Sequence, residues 1–427
     1  MRKKKFLIFT VSLMVMGLFS LCNGSAANKT QISLLNTKGE IQAQLEEAAR
    51  LFSKENPDIT LEIIPCPAGQ NPLEKLSAMY AAGNAPTLSM IGPPEFPKLK
   101  GKLADLSKEK WVKDAIARTM DDTRFEGKIV AFPFAVEGYG FIYNKAVLNK
   151  AFGGKFDPAS IKTIKSLEDA FKKVAASGVA PLIVSPLDWS LGNHYLGLAY
   201  ADQSKDPKKV ARFLENLKAG KVDLAGNKGF NGLLNTFDIM VKYNLAKNDP
   251  MSITYEKGPE VLGKGKVGFW FMGNWAWPQI KSFDTVNGAY GFLPVPLSDN
   301  PSDYGNTGIA VGASKEIAMD KAQNSIKQQK AAKKFLNWLV YSKAGQDVLV
   351  NKANIIPAFK NITITPNDPL AKSIRQYMAN GKTVQFMTTL PSDHWSQCGV
   401  FMQKYLAGKY GRKALFKDIQ MYWKNVR

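Results

Sequence analysis

Histidine and cysteine are scarce in this 427-residue chain, which has two of the first and three of the second. His194 and His394 lie far apart with no H-x-x-x-H pattern, so a two-histidine metal site would have to be assembled from distant segments. No G-x-S-x-G nucleophile elbow occurs either, and neither a metal nor a cofactor is expected. Internal repeats and low-complexity tracts are absent, which argues against a solenoid or a disordered chain. Acidic residues are also short: 36 Asp and Glu face 57 Lys and Arg, for a formal charge of +21. Lysine dominates that excess and no arginine-rich arm exists, which fits a solvated basic surface better than phosphate readout, and no nucleic-acid partner is expected.

What is present begins at the amino end. MRKKK is a basic region, and the apolar run FLIFTVSLMVMGLFSL stops at Cys22. The run is shorter than the ~18–20 residues that comfortably span a bilayer, so it reads as an export signal occupying 1–27. It ends either by cleavage after Ser25-Ala26-Ala27 or by lipid attachment at Cys22, whose context resembles a bacterial lipoprotein box with Leu21 in place of the usual small residue. Losing Arg2, Lys3, Lys4 and Lys5 with the signal leaves +17. Cys66 and Cys398 then remain; spacing does not decide whether they pair, and burial as small hydrophobes is expected.

The mature chain is too long for one ordinary core and about right for two lobes. With 45% hydrophobic and 22% charged residues it has the composition of a folded protein. QISLL, ITLEIIP and TLSMIG read as strands separated by two helices, the first with Ile41, Leu45, Ala48, Leu51 and Phe52 on one stripe. Strands joined by helices run parallel, so ligand loops are expected at their carboxyl ends, in NTKGE (36–40) and GPPEF (92–96). Two proline- and glycine-punctuated stretches, 133–138 and 290–314, are expected to carry the chain between lobes. The boundaries expected are 28–135 plus 302–355 for one lobe and 136–301 plus 356–427 for the other.

Three segments in this order, FPFAVEGYGFIYNK (132–145), MGNWAWPQI (272–280) and AAKKFLNWLVYSKAGQDVL through ANIIPAF (331–359), resemble the extracellular solute-binding proteins of ABC sugar importers. A fourth, EKLSAMYAAGNAPTLSMIG (74–92), is similar to the same family. The pattern is nearest to maltose- and maltodextrin-binding proteins. The resemblance implies an α/β two-lobe periplasmic-binding-protein fold of type II, a sugar held in the cleft between lobes joined by hinge crossings, and delivery to a membrane permease by a monomer.

A sugar offers weakly polar C–H faces and a rim of hydroxyls, so its site needs flat aromatic platforms and short polar groups. By resemblance Trp275 is a platform and Trp395 a second wall, with Glu137 as the principal polar clamp. Lys38 is aimed at hydroxyls with Asn36 beside it, and Glu95 lies near an acidic position of the family. Asn274 can donate and accept, and Gly273 lets the backbone come close. One of Asp188 and Trp189 is expected to touch ligand. Tyr139 either stacks near the site or packs in the core, and solvent exposure is as good an account of Lys38 and Asn36. Alternation along VGFWFMG sends Phe269 and Phe271 to one face and Trp270 to the other. Trp111, Trp338 and Trp423 read as packing residues.

GKGKVG (263–268) satisfies a nucleotide-loop pattern, but it follows helical sequence and enters a strand, the reverse of what phosphate binding needs. Paired carboxylates such as Glu137 and Asp188 leave a glycosidase open, and the basic charge leaves a surface adhesin open. The reading favoured is a non-enzymatic sugar-capturing protein, exported to the periplasm or the outer face of the cytoplasmic membrane.

Overall fold

The computed structural model describes residues 29–67, 70–409 and 411–426. The export segment, Cys22 and the cleavage position after Ala27 lie outside them.

Eleven strands are formed among the described residues: β1 (Thr30–Asn36), β2 (Ile59–Pro65), β3 (Leu88–Ile91), β4 (Arg124–Phe125), β5 (Lys128–Ile129), β6 (Ala131–Asn144), β7 (Ala180–Ile183), β8 (Val267–Gly273), β9 (Tyr290–Leu293), β10 (Ile309–Met319) and β11 (Thr383–Gln385). β1 pairs in parallel with both β2 and β3, as the β-α-β-α-β order requires. The first helix, Gln42–Glu55, buries Leu45, Ala48, Ala49 and Phe52. Leu51, expected on that stripe, is only half-buried. The stripe turns toward Ala49 because Phe52 is met by a helix from late in the chain, Ile326–Tyr341, with rings of Phe335 and Trp338 at 5.2 and 5.8 Å. The second helix, Pro72–Ala81, starts where Asn71 accepts from the N–H groups of Leu73 and Glu74.

The chain has a mixed α/β, two-lobe architecture, and the connection between the lobes differs from expectation in form. The stretch 133–138 does not interrupt a strand; it is the middle of the 14-residue β6. Pro133 has no N–H to offer, but it faces Glu316 where the pairing of β10 shifts register on both sides of Lys315, so the missing donor falls where the ladder is already irregular. β10, which begins within the second of those stretches, runs antiparallel beside β6. Its late half pairs with β3, and its early half pairs with β11. β8 and β9 pair with the far end of β6, and β7 joins β8. The main sheet therefore runs β2-β1-β3-β10-β6-β8-β7, with two long strands as the shared floor.

All seven residues of β8 are buried, because helices cover both of its faces. Phe269 and Phe271 pack with Phe141 and Phe171 as expected. Trp270 is equally sealed on the opposite face, with its indole N–H donating to Ser185 Oγ at 3.0 Å. Trp111, Trp338 and Trp423 are buried, and Cys66 and Cys398 are buried free thiols.

Candidate functional site

At the carboxyl end of β1 the side chain of Asn36 is fully buried and clamps the loop that follows. Its Oδ1 accepts from the Lys38 N–H at 2.8 Å, and its Nδ2 donates to the Lys38 carbonyl at 3.0 Å and to Gln42 Oε1 at 2.8 Å. That clamp turns Lys38 inward. Lys38 Nζ reaches Glu137 Oε1 on β6 at 2.5 Å and Glu40 Oε1 at 2.6 Å, and Ser314 on β10 donates to the other oxygen of Glu137. Both Lys38 and Glu137 are 4% exposed. Burial alone would lower the pKa of Lys38, but the two carboxylates beside it hold it raised; burial would raise Glu137, and Lys38 and Ser314 hold it lowered. The pair is therefore ionised at neutral pH.

The second wall comes from the end of β8. Asn274 Oδ1 accepts from the Gly138 N–H at 3.0 Å, tying this turn to the crossing strand. The indole of Trp275 lies over Gly273, where a methyl group would fall 2.0 to 2.4 Å from three ring carbons. Only glycine admits the ring in that pose. Trp275 is half-buried and packs against both large core clusters.

The third wall follows β7. Asp188 Oδ1 accepts from the Trp189 N–H at 2.7 Å and opens a wide π-helical segment, Trp189–Tyr195. The wide turn brings Trp189 and His194, five residues apart, to one side, which a 3.6-residue period would not do. Trp275 lies 6.1 Å from Trp189 and 5.0 Å from His194 between ring centroids, and Tyr255 lies 6.2 Å from Trp189. Burial lowers the pKa of His194 to about 3, against an opposing pull from Glu137.

Of the residues singled out in the sequence, Trp275, Trp189, Asn274, Lys38 and Glu137 come together here, with Asn36 beneath them. Lys38 and Asn36 are not solvent-exposed, and Glu137 is not an exposed hinge charge. Tyr139, open between site and core in the sequence, packs in the core: at 1% exposure it is enclosed by Phe271, Phe386 and a stacked His194, with centroids at 6.0, 4.9 and 4.7 Å. Asp188 spends an oxygen on capping, and burial raises its pKa. Glu95 Oε2 accepts from the Gly92 N–H at 2.8 Å, with its pKa raised by burial. Trp395 is half-buried on the helix His394–Leu406, which seats against the Trp189 segment through glycine: a methyl on Gly192 would fall 2.3 Å from Gly399 N and 2.4 Å from the Trp395 carbonyl. No ring contact joins Trp395 to Trp275 among the described residues. Tyr255 and Ser314 were missed, since nothing in a helical or strand period marks them, and His194 was weighed only as a metal ligand and as a helix residue near the cleft loop.

The residues Lys38, Ile41, Glu137, Asn274, Trp275 and Asn354 border a crevice of about 230 Å³. No cluster of three or more His, Cys, Asp or Glu suited to a metal ion occurs among the described residues, and no helix there is long and apolar enough to cross a membrane.

Comparison with known proteins gives the following matches. The model of the family described as bacterial extracellular solute-binding protein matches residues 47–388. A probable sugar-binding periplasmic protein of Mesorhizobium japonicum is 34% identical over 128 residues, 28% of this chain and 30% of that protein. A putative binding protein of Brucella abortus is 24% identical over 300 residues, 66% of each chain, so less than two thirds of either relative's length is spanned. Among solved structures, the solute-binding protein RafE in complex with raffinose superposes with a TM-score of 0.75 at 20% identity, covering 93% of this chain and 99% of that one. A chitin oligosaccharide binding protein gives 0.74 at 19%, covering 92% and 98%, and a sugar transporter protein of Bacillus licheniformis in complex with stachyose gives 0.71 at 21%, covering 93% and 100%.

Proposed function

Because this chain belongs to the bacterial extracellular solute-binding proteins, we propose that it captures a di- or oligosaccharide outside the cytoplasm and hands it to the permease of an ABC transporter. The observation that carries the reading is the half-buried ring wall of Trp275, Trp189 and Tyr255 beside the ionised Lys38–Glu137 pair. Flat rings match the C–H faces of a sugar, and fixed charges and Asn274 match its hydroxyl rim. The sugar-binding names carried by a relative and by several similar folds point the same way. A maltodextrin is the specific ligand proposed from the sequence resemblance.

The lobes part to admit the sugar and close on it. The two lobes proposed are 28–135 plus 302–355 and 136–301 plus 356–427, with β6 and β10 as the hinge. Closure requires contacts made only when both lobes touch the ligand, since equal affinity for open and closed forms shifts nothing. The protein acts as a monomer without a covalent step. In support, Glu137 is held ionised by Lys38 and is a poor general acid near neutral pH. Export through the segment 1–27, with Cys22 as a lipid anchor, puts the site on the outer side of the membrane.

Isothermal titration against raffinose, stachyose, maltotriose and chitotriose tests the proposal. Binding of at least one sugar, with Trp275→Ala losing it, is the expected result. Failure of every sugar to bind or to raise the melting temperature sinks it.

A further inference from the structure

We propose that His194 is a ligand-binding residue of this cleft, recognising adjacent hydroxyls of a neutral sugar ring through its two imidazole nitrogens. The inference rests on the sugar-capture reading and names the polar contact inside its aromatic wall.

The ring is held in place by other rings. It stacks on Tyr139 at 4.7 Å and 26°, meets the edge of Trp189 at 5.5 Å and of Phe386 at 5.5 Å, and faces Trp275 at 5.0 Å. None of these neighbours gives its nitrogens a hydrogen bond, and none is formed elsewhere among the described residues. His394 makes the contrast: it bonds the Tyr200 hydroxyl at 3.0 Å, and its Nδ1 is sealed without a partner. No atom of His194 is both sealed and unpartnered, and the residue is half-buried, so its nitrogens keep some exposure beside Trp275, which itself borders the crevice.

Part of the polar capacity of its neighbours is already committed within the protein. Lys38 is committed to Glu40 and Glu137, and Glu137 to Lys38 and Ser314. Asn274 Oδ1 is occupied by Gly138. His194 is uncommitted as both donor and acceptor, and the low pKa that burial imposes keeps it neutral from pH 5 to 8. A neutral imidazole offers one donor and one acceptor in a plane. Two neighbouring sugar hydroxyls, one accepting and one donating, are its complement; an anionic solute is not, because the ring carries no charge to meet it. The position beside Trp275 lets one sugar stack on the indole while its edge meets the imidazole.

The experiment uses the full mature chain and whichever of raffinose, stachyose, maltotriose and chitotriose binds it. His194→Phe keeps a ring on Tyr139 and should weaken that sugar about 10-fold, the worth of one to two hydrogen bonds, with the unliganded melting temperature nearly unchanged. His194→Gln, which restores a donor and an acceptor, should recover part of the loss. Affinity of the unaltered protein should be flat from pH 5 to 8. Undiminished binding by His194→Phe while Trp275→Ala abolishes it overturns this inference alone. If His194→Phe does not fold, His194→Leu decides: a loss of about 10-fold supports a hydrogen-bonding role and undiminished affinity overturns it, while an affinity step near pH 6.5 in the unaltered protein overturns the neutral ring. No binding of any sugar by the unaltered protein overturns the inference together with the reading beneath it.

Discussion

Lys38 Nζ lies 2.5 Å from Glu137 Oε1 in a space where each side chain is about 5% exposed. The two charges come from opposite ends of the amino-terminal third of the chain, and each is the principal reason that the other stays ionised. Removing one partner strands the other. Lys38→Met leaves the Glu137 carboxylate buried with Ser314 alone and should cost about 3–5 kcal/mol in denaturant unfolding. Glu137→Gln should cost less, because Glu40 remains on the ammonium at 2.6 Å. Equal losses from the two variants would contradict this account.

Two tryptophans five residues apart should behave in opposite ways. Trp270 is fully buried and Trp275 half-buried. Trp270→Ala should lower stability by about 3–5 kcal/mol. Trp275→Ala should lower it by far less and remove sugar binding. Calorimetry for stability and titration for binding separate the two effects.

Gly273→Ala is a probe of the platform without touching the indole. The added methyl meets the ring at 2.0 Å and must displace it. Sugar affinity should fall at least 10-fold while the fold survives, since the displaced ring borders the crevice. An unchanged affinity would show that the pose of Trp275 does not matter.

Stability should fall as pH rises from about 4 to 7. Asp368 is fully buried; Oδ1 accepts from the Leu370 N–H at 2.7 Å, Oδ2 has no partner, and burial pushes its pKa to about 7. Asp122 is pushed to about 6, and Glu316, sealed beside Asp122 and Glu95 with Lys315 as the facing cation, is also raised. Each group binds its proton more tightly folded than unfolded, so its contribution is complete below the unfolded value of ~4 and is lost as pH climbs through the folded one. Glu137 has the opposite sign, and its contribution is lost as pH drops below ~4. Asp368→Asn keeps the helix cap and should flatten the slope between pH 4 and 7, recovering on the order of 2–4 kcal/mol at pH 7.5. A slope unaffected by this variant would disprove the assignment to Asp368.

Both thiols should be inert. Cys66 and Cys398 are buried and unpaired, with pKa values raised by burial. Reductant should leave the melting temperature unchanged, and thiol reagents should label the folded protein slowly. A shift with reductant would reveal a bond between them.

Local periodicity made much of the architecture readable. Parallel β1, β2 and β3 followed from helices lying between strands, and the phenylalanine core followed from alternation in β8. The form of the stretch 133–138 was not legible, because whether a proline interrupts a strand depends on its partner, and here β10 shifts register at that point. Trp270 could not be assigned, since a strand covered on both faces hides both sets of side chains. Tyr139 had two accounts until its neighbours were known. His194 was not assigned to the site because the π-helical turn that aligns it with Trp189 departs from the period used to find helices.

Residue types and their order alone pointed to a solute-binding protein of two α/β lobes and to tryptophan and a carboxylate where a sugar cleft is expected. Which of those groups share a wall was decided only by tertiary structure. Asn36, Glu137 and Ser314 are far apart in the chain, and Lys38 becomes a buried partner rather than a solvated surface charge only when β1, β6 and β10 lie side by side. Burial and ion pairing are properties of what surrounds a residue, and nearly all of those surroundings come from elsewhere in the chain.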